Sequence, residues 1–407
     1  MIKKSQQDKG AIMQKFTGLD YLKIDIAGSF GLDKLDWEKR LDWFNSQEDI
    51  SSLITEAEKP AMFFAGIEAF NKAKQGKPSG YGVSFDATSS GLQLLACLVN
   101  CEQSALLCNV VDAGHRVDAY TSIYEAMCHE INEVTKIGRA DVKQAIMTAL
   151  YTSTATPKLV FGTGDLLQVF YDKMETMIPG AWELNLTLQD LWQPYADYHS
   201  WIMPDNFHVY IPVMTSEVQS VNWLNEPVDV YLKANKGTKK GRSISPNLIH
   251  SIDGMIVREI LARCNFKKET ITKVINSLDS IEKGKNRDSD KMVQTLWSHY
   301  KKSGFLSVRI INYLDKQNMG LVDPYEIAKL LKSMPEQPFQ IMAIHDCFRC
   351  LPNYGNDLRI QYNIILSQIA SSNLLSFIAS QITGSFCPVN KFGDISDKIL
   401  KANYSLS

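Results

Sequence analysis

Two aspartates stand where strand-like segments end. Asp86 closes the apolar stretch YGVSF, and Asp346 sits in a His-Asp turn between the two strand-like halves of FQIMAIHDCFRCLP. Carboxylates delivered by adjacent strands could hold two Mg²⁺ ions, which prefer hard oxygen ligands. A pair of such ions stabilises both the attacking and the leaving oxygen of a phosphoryl transfer. A third feature is the segment RADVKQAIMTALY, in which Arg139, Lys143, Met147 and Tyr151 recur every four residues and so share one helical face. Two cations, an apolar residue and an aromatic in that order suit a nucleotide, with the triphosphate at one end and the sugar and base at the other. Each feature alone has a plain structural alternative. Asp86 could cap a helix, Arg139 and Lys143 could be a solvated stripe, and His345 a satisfied core histidine. The conjunction is what points to chemistry.

These residues need elements to position them. DWEKRLDWF and its neighbours between Leu19 and Phe70 are amphipathic and read as helix. Pro78-Ser79-Gly80 makes a turn before the strand that ends at Asp86, and GLQLLACLVN after it is apolar at helical spacing. Residues 116–136 and 139–151 have helical periodicity, whereas 206–232 alternate and read as hairpin strands. Lys233, Lys236, Lys239, Lys240 and Arg242, with two glycines among them, form a basic loop. Residues 259–335 are mostly helical, with a charged break at EKGKNRDSDK.

Composition is permissive. The 407 residues suffice for two or three domains, and no stretch approaches the apolar length of a membrane span. The N-terminus lacks the apolar core of a signal peptide. A formal charge of −2 neither advertises nor excludes a nucleic-acid partner, because a local basic groove can sit beside acidic surface. Eight scattered cysteines read as reduced thiols, and the lone C-x-x-C of Cys347 and Cys350 is weak evidence for zinc.

Four segments, in order, resemble the single-subunit DNA-dependent RNA polymerases of phages and mitochondria. Asp86-Ala87-Thr88-Ser89-Ser90-Gly91-Leu92-Gln93 is similar to that family's motif A, and Arg139–Tyr151 to its motif B. Ile344-His345-Asp346-Cys347-Phe348 resembles motif C, and SPNLIHSIDG (245–254) a further family segment. Weaker likeness runs through LDYLKIDIAGSFGLDKLDWEKR, WIMPDNFHV and the C-terminal ISDKILKANYSLS. Departures are Ala87 and Thr152 at usual glycines, Arg349 at another, and Leu94 where histidine is common.

The resemblance implies an α/β (α+β) polymerase right hand. It divides the chain into an N-terminal tail (1–18), palm with motif A (19–110), fingers with motif B and a specificity-hairpin region (111–258), a helical insertion (259–335), and palm with motif C and a C-terminal foot (336–407). It implies Mg²⁺ as two ions on Asp86, the Ala87 main chain and Asp346. Arg139 and Lys143 would bind the triphosphate, with Lys143 also a candidate acid for the leaving pyrophosphate. Met147, Gly91, Tyr151 and His250 would surround base and sugar, His345 would orient the primer end, and the basic loop would contact nucleic-acid phosphates. Related DNA polymerases carry a glutamate five residues after the motif A aspartate. Gly91 leaves that space open for a ribose 2′-hydroxyl, which favours RNA synthesis over the rival readings, a DNA polymerase fragment or an inert nucleic-acid-binding scaffold.

Motif A comes early here, and the Gly-Arg strand expected upstream of it is absent from the sequence. In this the chain resembles the catalytic half of the two-chain polymerases of N-four-like bacteriophages. The expected partners are therefore a second polymerase chain carrying the N-terminal domain and thumb, a DNA template, the RNA product, ribonucleoside triphosphates and an accessory protein for template melting, with no membrane. The expected location is the cytoplasm of the infected bacterial host.

Overall fold

The computed structural model describes residues 13–131, 137–239 and 241–407. Helices dominate, with three small antiparallel sheets, so the fold is mixed α and β. The chain opens with α1 (Gly18–Ala27), α2 (Trp37–Ser46) and α3 (Pro60–Lys74), then β1 (Val83–Asp86). The helices α4 (Ser90–Val99), α5 (Glu102–Leu107), α6 (Ala119–Glu130), α7 (Arg139–Leu150), α8 (Ala155–Phe161), α9 (Asp165–Met177) and α10 (Pro179–Thr187) follow. Two hairpins come next, β2 (Tyr198–Ile202) with β3 (His208–Pro212), and β4 (Met214–Trp223) with β5 (Glu226–Asn235). The long α11 (Ile244–Cys264) leads into α12 (Lys268–Ile275), α13 (Asp288–Ser303) and α14 (Pro324–Lys332). The chain closes with β6 (Ile341–Ile344), β7 (Cys347–Cys350), α15 (Gly355–Ser371), α16 (Leu374–Thr383) and α17 (Ser396–Ile399).

Helix ends follow local chemistry. Thr17 and Asp20 form a reciprocal capping box on α1, and Pro60 starts α3. The Asp118 carboxylate accepts the amides of Tyr120 and Thr121 at the start of α6. The described end of the expected N-terminal tail (1–18) is docked on the core. Met13 is buried, and the Gln14 main-chain N–H donates to Asn403 Oδ1 at 2.7 Å. Of the helical stretch expected over 116–136, residues 132–136 lie outside the described residues, and α6 covers 119–130.

The central sheet has the order β1-β7-β6, with Asp86 opposite Cys347 and Ile344 opposite Cys347 on the other side. Its inner face is apolar. Val83, Phe85, Phe348 and Cys350 are buried, and α4, α11 and α15 pack together in the same core. Its outer face carries Asp86, Ser84, Arg349, Met342 and Ile344, as the two-residue period of a strand requires. Gln93, fully buried on α4, ties this core to both neighbours. Its amide donates to Thr88 Oγ1, Cys108 O and Ser405 O, and accepts from the Tyr362 hydroxyl at 2.7 Å.

A second hydrophobic cluster gathers Val274, Val293, Leu296, Ile310, Ile327 and Leu330 from α12 to α14. Within it two loops face each other. Gly284 N–H donates to Gln317 O at 2.6 Å and Gly320 N–H to Glu282 O at 2.7 Å. The half-exposed Arg287 guanidinium lies between the carboxylates of Asp290 and Asp315. This unit meets the main core through Glu259 and Arg263 of α11, both buried.

Candidate active site

Three short elements converge on the two predicted carboxylates. Asp86 is the last residue of β1 and is exposed. Asp346 follows His345 in the two-residue turn that joins β6 to β7. His345 takes φ 55°, a left-handed conformation that histidine tolerates better than most residues. The Ala87 amide donates to Asp346 O at 3.1 Å, so the turn lies directly against the end of β1. On the other side of β1 the Ser407 main chain pairs with Asp86, at 3.2 and 2.9 Å. Burial and a hydrogen bond to the Asp86 carboxylate push the Cys347 thiol up to about 11, so it stays protonated. Asp86 also opens on a depression shared with Asp25, Ser84 and Arg349.

A cleft of about 210 Å³ adjoins these residues, lined by Ala87, Gly91, Tyr120, Lys143, Met147, Tyr151 and Asp346 among others. Lys143, Met147 and Tyr151 thus face it from α7, as their four-residue spacing requires. The Lys143 ammonium lies over the Tyr120 ring, 5.3 Å from its centroid, and Tyr120 is fixed by a 3.0 Å hydrogen bond with Ser89. A Cβ built on Gly91 would come 3.8 Å from the Tyr151 hydroxyl, so any longer side chain there would grow into the space before that phenol. Tyr151 stacks on His250 of α11, with centroids 5.2 Å apart and planes 16° apart. Burial, then the charges of Asp253 and Asp346, raise the Tyr151 phenol above its ordinary value and keep it a hydrogen-bond donor.

Arg139 is engaged elsewhere. Its Nε donates to Thr121 Oγ1 at 2.7 Å and its Nη2 pairs with the Asp118 carboxylate, so it braces the start of α7 against α6. The basic loop is not uniform either. Lys233 and Lys239 are exposed, and Lys236 pairs with Glu217 at 3.1 Å. Arg242 donates to Thr154 Oγ1 at 2.6 Å and Thr152 O at 3.4 Å, and Lys240 lies outside the described residues. The β4–β5 hairpin beside it projects with both faces open, Val218 and Tyr231 on one and Val221 and Leu232 on the other. It turns through Leu224 and Asn225, both at positive φ.

Asp253 was not singled out from sequence, although it lies three residues beyond His250 on the same helix face. Burial, then the Asp346 charge, push it up to about 6, while His345 opposes the rise. Surplus negative charge therefore gathers beside Asp346, which a bound cation would relieve. Two carboxylates and a main-chain oxygen are a spare donor set, and among the described residues no three His, Cys, Asp or Glu side chains converge to hold a metal. Mg²⁺, were it to bind here, would complete its shell with waters and substrate oxygens. The raised Asp253 value has a stability consequence. The unfolded carboxyl titrates near 3.8 and the folded one near 6, so stability present below about pH 4 is lost as pH rises through about 6. In metal-free protein, Asp253→Asn should stabilise the fold by about 2–3 kcal/mol at neutral pH and by nothing below about pH 4. Urea melts at the two pH values read this directly, and an equal effect at both would contradict it.

Comparison with known proteins bears on the class of enzyme rather than on these side chains. Residues 14–166 match the family model described as DNA-dependent RNA polymerase, a span containing Asp86, Gly91 and all of α7. Over 163 residues the chain is 31% identical to a probable DNA-directed RNA polymerase of Neurospora crassa, covering 34% of this chain and 18% of that protein. Over 140 residues it is 30% identical to the DNA-directed RNA polymerase of Pseudomonas phage phiKMV, covering 30% of this chain and 17% of that protein. The matched stretches thus span under a fifth of each relative's length. Together they support an enzyme of the DNA-directed RNA polymerase class. No described helix is long and apolar enough to cross a membrane.

Proposed function

We propose that this chain is the catalytic subunit of a two-chain, DNA-templated RNA polymerase that transcribes viral genes in the host cytoplasm. The observation that carries the reading is that the Asp346 turn, which lines the cleft walled by Lys143, Met147 and Tyr151, is hydrogen-bonded to the end of β1 at Ala87, the residue after Asp86. The central sheet and α4 act as palm, and α6 to α10 with the two hairpins as fingers. In the reaction the RNA 3′-hydroxyl attacks the nucleotide α-phosphate and pyrophosphate leaves. Asp86, the Ala87 main chain and Asp346 would hold two Mg²⁺, which supply charge stabilisation for the attacking and leaving oxygens. Lys143 attracts the triphosphate and is placed to protonate the departing pyrophosphate. Its ammonium is held over the Tyr120 ring, so little ordering remains to be done when substrate arrives. Arg139 fixes the start of this helix, and its own contact with the triphosphate would require release from Asp118. His345 orients the primer end.

Sugar choice falls to Gly91, Tyr151 and His250. A hydroxyl-bearing ribose fits the space that Gly91 leaves open, and the phenol and imidazole offer it polar partners. Tyr151→Phe should retain RNA extension but lose about 1–3 kcal/mol of selectivity against deoxynucleotides, since one hydrogen bond goes and little volume changes. Competition between ribo- and deoxynucleotides on one template measures it, and unchanged selectivity would remove Tyr151 from this role.

A second chain supplying thumb and N-terminal domain is part of the proposal. Supporting it, β6 is an open sheet edge with Met342 and Ile344 exposed beside the catalytic turn. Lys233 and Lys239 are exposed near the fingers and suit phosphate contact, and an accessory protein would melt the template.

A further inference from the structure

Helix α7 ends on the residue that the proposed function needs held still. Tyr151 is its C-cap, Thr152 N–H donates to Ala149 O and Ser153 N–H to Thr148 O, both at 2.9 Å. This is the double-bonded termination in which the residue after the cap must turn left-handed, a place glycine usually takes. Here it is a threonine at φ 65°, buried at 6% exposure. Among the described residues the other non-glycine positive φ values belong to five asparagines, to Leu224 at the hairpin tip and to His345. Thr152 is thus the one β-branched residue in that conformation, which branching disfavours strongly.

Something must hold it there, and the contacts are specific. Thr152 Oγ1 donates to Arg242 O at 3.0 Å. In return Arg242 Nη1 donates to Thr152 O at 3.4 Å and to Thr154 Oγ1 at 2.6 Å. The clasp joins the end of α7 to the residues that start α11, and α11 also carries His250, the stacking partner of Tyr151. A parallel tie runs through Asn185, which donates to Ala149 O at 3.0 Å and accepts from Ser245 Oγ at 3.2 Å.

We propose that Thr152 and Arg242 are positioning residues for Tyr151, their clasp compensating a strained helix end so that the phenol stays stacked on His250 and sugar selection is maintained. This rests on the polymerase reading and gives Arg242 a task other than phosphate contact. Without the clasp, Thr152 relaxes toward an ordinary backbone conformation and carries Tyr151 with it. A glycine at 152 adopts the left-handed conformation unaided and needs no clasp.

The test is therefore a rescue. Arg242→Ala removes the guanidinium half of the clasp, the bonds to Thr152 O and Thr154 Oγ1, and in the full complex should lower discrimination between ribo- and deoxynucleotides by about tenfold, the worth of roughly one hydrogen bond. Thr152→Gly added to Arg242→Ala should restore it, because the helix end no longer needs holding. The ratio is taken within one preparation, so it does not respond to the folded fraction. Unchanged discrimination in Arg242→Ala, or a loss that persists in the double variant, overturns the proposal, the former being the result for a simple phosphate contact, which would slow both sugars alike. Amide hydrogen exchange over residues 148–155 reads the clasp without any activity, faster in Arg242→Ala and restored in the double variant. If the wild type extends no RNA the polymerase reading fails by itself, and unchanged exchange would sink the clasp separately.

Discussion

Asp346→Asn and Asp86→Asn should each cut RNA extension by about a thousandfold or more while leaving the fold intact. On the proposed reading, charge that would gather two Mg²⁺ contributes several kcal/mol to a phosphoryl-transfer transition state, and each 1.36 kcal/mol is a factor of ten in rate. Neither substitution opens a cavity, since Asp86 is exposed and Asp346 is only partly buried in its turn. The main-chain bonds that fix the site, from Ala87 N–H to Asp346 O and between Asp86 and Ser407, do not involve the side chains. Removing the Asp346 charge should even ease Asp253, whose carboxyl it helps to push up. Single-turnover extension alongside a thermal melt separates the two effects. A variant that extends at close to the wild-type rate would remove that carboxylate from the metal site.

The second large effect is on stability. Arg263 and Glu259 are buried one turn apart on α11, with Nε 3.8 Å from Oε2. Glu259 accepts from Ser307 Oγ and, at 3.0 Å, from the Val308 amide. Arg263 donates to Ser333 Oγ at 3.0 Å and to Gln361 and Gln368 of α15 at 3.3 and 3.1 Å. The pair therefore pins the α12–α14 unit to the main core. Arg263→Leu should cost about 3–5 kcal/mol at neutral pH, because Glu259 is left charged and uncompensated. Burial already raises the Glu259 carboxyl and Arg263 opposes that rise. Without the arginine the folded value climbs further, so the loss is full above that value and shrinks as pH falls toward the unfolded value near 4.5. The double change Glu259→Met with Arg263→Leu should recover most of the stability. Denaturant melts of both variants decide it, and an equal loss in the two would mean that packing, not charge, dominates.

How much of this was legible follows from what each signal depends on. β1, β6 and β7 are short and alternate cleanly, so their ends, and with them Asp86 and Asp346, could be placed from local pattern. The face of α7 was readable because Lys143, Met147 and Tyr151 repeat with the helix. The partners of Arg139 and Arg242 were not, since Asp118 and Thr154 lie far along the chain and only packing brings them near. Asp253 had a signal, its three-residue step from His250, but its burial against Asp346 is tertiary. Thr152 was noticed as a glycine replaced, and the physical reason appeared only with its φ of 65°. The β2 strand was passed over because Pro204 and Asp205 break the alternation that begins at 206.

The most direct measurement is single-nucleotide extension of an RNA primer annealed to a DNA template, using the complex isolated through a tag on this chain. The expected result is Mg²⁺-dependent addition of the ribonucleotide complementary to the template base, preferred over its deoxy counterpart and lost in Asp346→Asn. No addition by that complex, addition that ignores the template base, or equal addition by Asp346→Asn would contradict the assignment of RNA synthesis to this site.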